Sequence, residues 1–263
     1  MKNLSRLVAL IARLRQPEGG CPWDIKQNFK SIAPYALEEC YELVEAIEID
    51  DVQAIKEELG DLLFQVVFLA QIGQEKGWFD LDSAAASVAD KMIDRHPHVF
   101  GTRVVETAAE VLKNWEADKE AQRMAQAAAQ ERRPSVLDGV CTALPAATRA
   151  VKLQKRAARV GFDWPSIDGT LASIREETNE LEEEIIRKAD KKTIEAELGD
   201  LFFSVVNVAR YLDIDPETAL RRTNRKFENR FHFIEAALAK QGRSPREATL
   251  AEMETLWAEA KKA

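Results

Sequence analysis

Two sets of four carboxylates, each split between neighbouring helical stretches, constrain this chain more than any other feature. Glu39 and Glu42 in LEECYELVEAI precede Glu58 and Asp61 in EELGDLLFQVV, and Glu177 and Glu180 in REETNELEEEI precede Glu197 and Asp200 in AELGDLFFSVV. Each set reads EExxE, a gap, then ExxD. Carboxylates three apart share one face of a helix, so two such helices packed side by side aim four oxygen-bearing groups at one point. Four acids at one point require a cation. All-oxygen ligation suits a hard one, Mg²⁺, with Mn²⁺ as a possible substitute.

The repeat extends beyond the acids. Glu177 lies 138 residues after Glu39 and Asp200 lies 139 after Asp61, so the halves keep register to one residue. Trp23 and Asp24 in GGCPWD are matched by Asp163 and Trp164 in VGFDWPS. Lys91 and Arg95 match Lys226 and Arg230, and each half closes on a Trp-bearing helix, at Trp115 and Trp257. Helical periodicity runs throughout and strand-type alternation is nearly absent, which predicts an all-α protein of two tandem helical-bundle domains. The expected limits are 1–120 for the first domain, 121–136 for an Ala- and Gln-rich linker ending near Pro134, and 137–263 for the second. Leu37, Cys40, Val44 and Ile47 in one half, and Ile174, Leu181 and Ile185 in the other, are the expected core stripes, with the acids at their edge. The apolar runs Leu62–Ala70 and Leu201–Ala209 predict helices buried on most sides.

A lone EExxE is ordinarily a solvated acidic face. A solvated face does not require an Asp three after a Glu, a glycine beside it and an apolar run beyond, in both halves. Gly60 and Gly199 cost about 1 kcal/mol each against alanine inside a helix, so their presence predicts close approach by a neighbouring helix or a ligand. A di-iron bundle is disfavoured because neither half has the Glu-x-x-His it uses. Phosphate-cradling GxxxxGK[ST] and GxGxxG loops are absent, so phosphate must be held by metal and side chains.

Composition narrows the partners. Thirty-seven basic against 45 acidic residues give a net charge of −8, which disfavours a nucleic-acid-coating protein. Cys21, Cys40 and Cys141 lack CxxC spacing, which favours a reducing cytoplasm over a disulfide framework or a zinc site. The N-terminal stretch is interrupted by Arg6, Arg13 and Arg15 and reads as an amphipathic helix, not a targeting signal. The later apolar runs fall short of the roughly 20 residues of a membrane span. A cytoplasmic protein without membrane or nucleic-acid partners is expected.

Taken together, GGCPWD, the two carboxylate sets, RHPHVFG, VGFDW and KFENRF resemble the MazG family of nucleoside triphosphate pyrophosphohydrolases in its two-domain bacterial form, over nearly the whole chain. The resemblance implies the all-α fold shared with dimeric dUTPases and phosphoribosyl-ATP pyrophosphohydrolase. It also implies magnesium-dependent cleavage of ribo- and deoxynucleoside triphosphates to monophosphate and pyrophosphate, with Glu177, Glu180, Glu197 and Asp200 as the catalytic, metal-holding set. Arg222, Lys226 and Arg230, four apart, form a basic stripe suited to a triphosphate tail, with Asn224 on the same helix. The first half has Ser87, Lys91 and Arg95 there, and Ala89 for Asn224, so the second domain is the expected catalytic unit. Trp257 is a candidate base-stacking platform, Asn207 a candidate hydrogen-bond partner for base or sugar, and Glu176 a further acid at the substrate. Long apolar helices predict a homodimer. Two alternatives remain: a narrow-specificity hydrolase such as phosphoribosyl-ATP pyrophosphohydrolase, and a non-catalytic helical module that senses nucleotides or binds protein.

Overall fold

The computed structural model describes residues 2–262. Among them every regular element is helical. In chain order these are α1 (Lys2–Leu14), α2 (Pro22–Lys26), α3 (Phe29–Glu48), α4 (Val52–Glu75), α5 (Leu81–Arg95), α6 (Pro97–Phe100) and α7 (Ala108–Ala129). They are followed by α8 (Ala146–Arg159), α9 (Ile167–Ile186), α10 (Lys191–Tyr211), α11 (Pro216–Ala239), a short 3₁₀ helix (Pro245–Glu247) and α12 (Leu250–Ala260). None is long and apolar enough to cross a membrane. The chain divides into two compact units, Met1–Glu116 and Ala117–Ala263. The division falls inside α7, whose helix carries on to Ala129 before the Pro134 segment.

The repeat is visible in the element limits. α3 and α9 are both 20 residues long, and α4 and α10 begin at matching positions. Each helix pair is joined by the same turn. Asp50 and Lys188 adopt left-handed φ values of 56° and 55° just past α3 and α9. Asp51 then caps α4 by accepting from the backbone of Gln53 and Ala54, and Asp190 caps α10 through Lys192 and Thr193. A left-handed residue followed by an N-cap, directly in the first half and after Ala189 in the second, reverses the chain within a few residues and lays the two helices side by side.

In the first unit the core is Ile11 of α1, Ile32 of α3 and Val67, Phe68 and Ile72 of α4. Arg15, buried, fastens α2 and its Trp23 to this core. Its guanidinium donates to the Glu75 carboxylate at 2.9 and 2.7 Å and to the carbonyls of Asp24 and Gln27, and it stacks over the Phe68 ring. In the second unit Asp163 and Arg210 make the corresponding clasp between the Trp164 loop and α10.

Packing departs from expectation in three places, for one reason. Leu37, Cys40 and Ile47 are exposed, and the buried positions of α3 are Ile32 and Ala46, so the face turned inward carries Glu39. Ile185 of α9 is likewise exposed. The helices after the ExxD acids are only partly covered: in α4 Val67, Phe68 and Ala70 are buried while Leu63 and Val66 lie open, and in α10 Phe202, Phe203 and Val205 lie open. A Cβ on Gly60 or Gly199 would meet open space, so no neighbouring helix of the chain closes on either glycine. Each unit supplies enough helices to cover one side of the α3–α4 or α9–α10 pair and leaves the other apolar side bare.

Candidate metal centre

Both helix pairs gather acids. In the first, ligand oxygens of Glu39, Glu42 and Glu58 lie within 4.8 Å of one another; in the second, those of Glu177, Glu197 and Asp200 do. The sequence pattern predicts four converging acids in each half. The structure brings three together and leaves a different fourth beside each trio: Asp61 next to Glu58, and Glu180 one turn on from Glu177.

The electrostatics follow from the crowding. Partial loss of water and then the charges of Glu58, Glu39 and Glu38 push the Glu42 carboxyl up from its ordinary value. Glu58 is raised by desolvation and then by Asp61, Glu39 and Glu57. Glu177 is raised by desolvation and then by Glu180, Asp200, Glu176 and Glu197. Like charges held this close are unfavourable unless a cation or a proton lies between them. A small, hard divalent cation fits a donor set made only of carboxylate oxygens.

The two clusters differ in what backs them. In the first, Gln65 is 7% exposed and its Nε2 donates to Glu39 Oε1 at 3.2 Å. In the second, the matching residue is Ser204, whose hydroxyl pairs with that of Ser173 at 3.0 Å. Gln65 escaped the sequence reading although it stands four residues after Asp61, on the same helical row as Glu58 and Asp61.

The basic residues of α11 form a separate open cleft of about 360 Å³, lined by Arg222, Arg225, Lys226, Asn229, Arg230 and Ala260. Arg222, Lys226 and Arg230 therefore line one surface as their spacing predicts, while Asn224, exposed on the same helix, does not line it. Arg225 and Asn229 are additions, legible only in hindsight from their three-residue offset. None of the clustered acids lines the cleft. Trp257 packs on Phe227, with ring centroids 5.3 Å apart, and lies under the Arg230 guanidinium at 5.4 Å, so it holds the wall of the cleft. Asn207 Oδ1 accepts from Arg210 Nε at 2.8 Å, which ties this residue to the Asp163 clasp and leaves Nδ2 outside that bond. Glu176 is exposed on α9 and acts on the cluster through its charge on Glu177.

The aromatic residues before the acidic helices are also placed. Trp23 meets Tyr35 edge-on at 6.0 Å, and Trp164 packs so closely over Gly169 that a Cβ there would come within 2.7 Å of its ring. Gly169 is thus a glycine that close approach requires, as is Gly73 of α4, where a Cβ would come within 2.7 Å of the Phe79 ring.

Comparison with known proteins bears on both halves. The sequence pattern of the MazG nucleotide pyrophosphohydrolase domain matches twice, at residues 27–100 and 166–232. The chain is 44% identical over 263 residues, all of its length and 98% of its counterpart, to the nucleoside triphosphate pyrophosphohydrolase of Escherichia coli strain K12. It is 41% identical over 255 residues, 97% of this chain and 94% of the other, to the nucleoside triphosphate pyrophosphohydrolase/pyrophosphatase MazG of Thermotoga maritima. The Mycobacterium tuberculosis nucleoside triphosphate pyrophosphohydrolase is 31% identical over 218 residues, 80% of this chain and 64% of that one.

Proposed function

We propose that this chain, which belongs to the MazG family of nucleotide pyrophosphohydrolases, hydrolyses nucleoside triphosphates to monophosphate and pyrophosphate with Mg²⁺ held by the second acid cluster. The observation that carries this reading is the convergence of Glu177, Glu197 and Asp200 within 4.8 Å, in the unit that also owns the cationic cleft. Glu180, exposed one turn along α9, is free to turn toward the trio and complete the ligand face. The first cluster, Glu39, Glu42 and Glu58 with Asp61 alongside, is a second cation site without a full basic stripe.

The residues divide the work. Glu177, Glu197 and Asp200 would hold the Mg²⁺, which when bound would supply Lewis-acid activation of the α-phosphoryl group and charge neutralisation for the departing pyrophosphate. Arg222, Lys226 and Arg230 neutralise the triphosphate tail, and Arg225 and Asn229 extend that surface. The Asp163–Arg210 clasp fixes the Trp164 loop beside α10 and orients Asn207 toward base or sugar. Trp257, already pinned by Phe227 and Arg230, offers a stacking surface next to the cations.

A homodimer and a cytoplasmic location belong to the same reading. The bare stripes recur at matching positions, Leu59, Leu63 and Val66 on α4 and Leu198, Phe202 and Val205 on α10. Open space over Gly60 and Gly199 leaves room on the same sides for a second copy. We take the two units as the two domains, with 121–136, the end of α7 and the Pro134 segment at the start of the second unit, as the connection.

The test is product analysis. Incubation with ATP, dATP and other triphosphates in Mg²⁺ should yield monophosphate and pyrophosphate, and EDTA should abolish both. Appearance of diphosphate and orthophosphate instead would refute the cleavage site. Turnover of one nucleotide alone would favour the narrow-specificity alternative.

A further inference from the structure

The first acid cluster contains a polar group that its other contacts do not explain. Gln65 is 7% exposed, and its Oε1 is buried without a hydrogen-bond partner while its Nε2 donates to Glu39 Oε1. A buried amide oxygen left unmade is unfavourable, so an all-apolar residue would serve packing better at this position. Gln154 also has a buried, unpartnered Oε1, but its Nε2 donates to the Phe203 carbonyl and so only bridges two helices. Gln65 is different: its donor reaches an acid of the cluster, and it lies on the α4 row that presents Glu58 and Asp61.

We infer that Gln65 is a positioning residue of a divalent-cation site in the first half, orienting Glu39 through its amide N–H. The inference rests on the proposed reading of the first cluster as a cation site. An amide donor to one carboxylate oxygen leaves the other oxygen directed to the cation, and groups that orient ligands in this way are typically worth 10–100-fold in metal affinity. Ser204 makes no such contact in the second half, where its hydroxyl is spent on Ser173. The two halves are therefore unequal cation sites, and the first is organised from behind its ligands.

Mn²⁺ titration of the full chain, followed by electron paramagnetic resonance of the free ion, tests this. Glu197→Gln and Asp200→Asn silence the second cluster, leaving the first to be read alone. Adding Gln65→Met, which keeps the volume but removes donor and acceptor, should weaken Mn²⁺ binding about 10-fold or more. The midpoint of thermal unfolding should stay the same or rise, because an unmade acceptor has been deleted. A purely structural glutamine would give the reverse: lower stability and unchanged affinity. Should the methionine variant fail to fold, Gln65→Ser carries the same expected loss. Affinity within threefold of the silenced parent, or no Mn²⁺ bound by that parent, overturns the inference. Its failure is separable from that of the proposed function, which is read from triphosphate cleavage by the wild type.

Discussion

The Asp163–Arg210 clasp is the structural element whose energetics can be worked most directly. The Arg210 side chain is 8% exposed and that of Asp163 28%. Deleting one partner of a buried pair strands the other charge, at a typical cost of 3–5 kcal/mol. Asp163 retains some water and Asn207 still accepts from Arg210, so Asp163→Ala should cost about 2–3 kcal/mol. Arg210→Met leaves a partly wet carboxylate that keeps the Trp164 backbone N–H at 2.9 Å, and should cost about 1–2 kcal/mol. The double variant leaves no stranded charge, so the three losses should show a coupling of about 1.5 kcal/mol or more. Urea unfolding followed by circular dichroism supplies the cycle. The pH dependence fixes the sign: Arg210 holds the Asp163 carboxyl below its ordinary value. The clasp's contribution is fully present above the unfolded aspartate value and disappears as pH falls through the lower folded one. Losses that add to within about 0.5 kcal/mol, or a coupling that survives deep acidification, would refute the reasoning.

Further outcomes follow from the same structure. Because Glu42, Glu58 and Glu177 are raised above their unfolded values, their contribution favours the fold at acid pH and is lost as pH rises through the folded values. Divalent cation should restore that loss: Mg²⁺ at about 100 times its Kd should add about 2.7 kcal/mol and raise the thermal midpoint several degrees, and Glu177→Gln/Glu197→Gln/Asp200→Asn should keep only the smaller rise that the first cluster supplies. Lys188→Gly should stabilise by about 0.5–1 kcal/mol by relieving the left-handed backbone, and Asp50→Gly by less, measured by thermal unfolding. Arg243 and the Thr249 cap hold Glu252 at about 2, so the stability it lends α12 should be complete above the ordinary glutamate value and decline progressively as pH falls from there to about 2. Trp257 fluorescence in an acid titration of wild type against Glu252→Gln would show it.

Sequence patterning revealed the duplicated acids, the helical class and the register of the halves, because ligand spacing and helix length are local properties. It misplaced the core of α3. Leu37, Cys40 and Ile47 are as apolar as core residues but lie on the bare side, while the inward face carries Ile32, Glu39 and Ala46. Periodicity finds an apolar stripe and does not say whether the same chain covers it. Gly60 and Gly199 meet no helix of their own chain for the same reason, whereas Gly169, pressed by Trp164, and Gly73, pressed by Phe79, carried no motif to mark them. Gln65 was invisible as a polar residue inside an apolar run until α3 and α4 were brought together. Arg222, Lys226 and Arg230 were legible from four-residue spacing, but their separation from the acid trio within the chain was not.

The central claim is that the second cluster carries the hydrolysis. Pyrophosphate release from ATP and dATP with Mg²⁺, measured side by side for wild type, Glu42→Ala and Glu180→Ala, tests it most directly. The account predicts release by wild type and Glu42→Ala and its loss, by 100-fold or more on the order expected for a missing metal-site acid, in Glu180→Ala. Release that survives in Glu180→Ala and disappears in Glu42→Ala would contradict it.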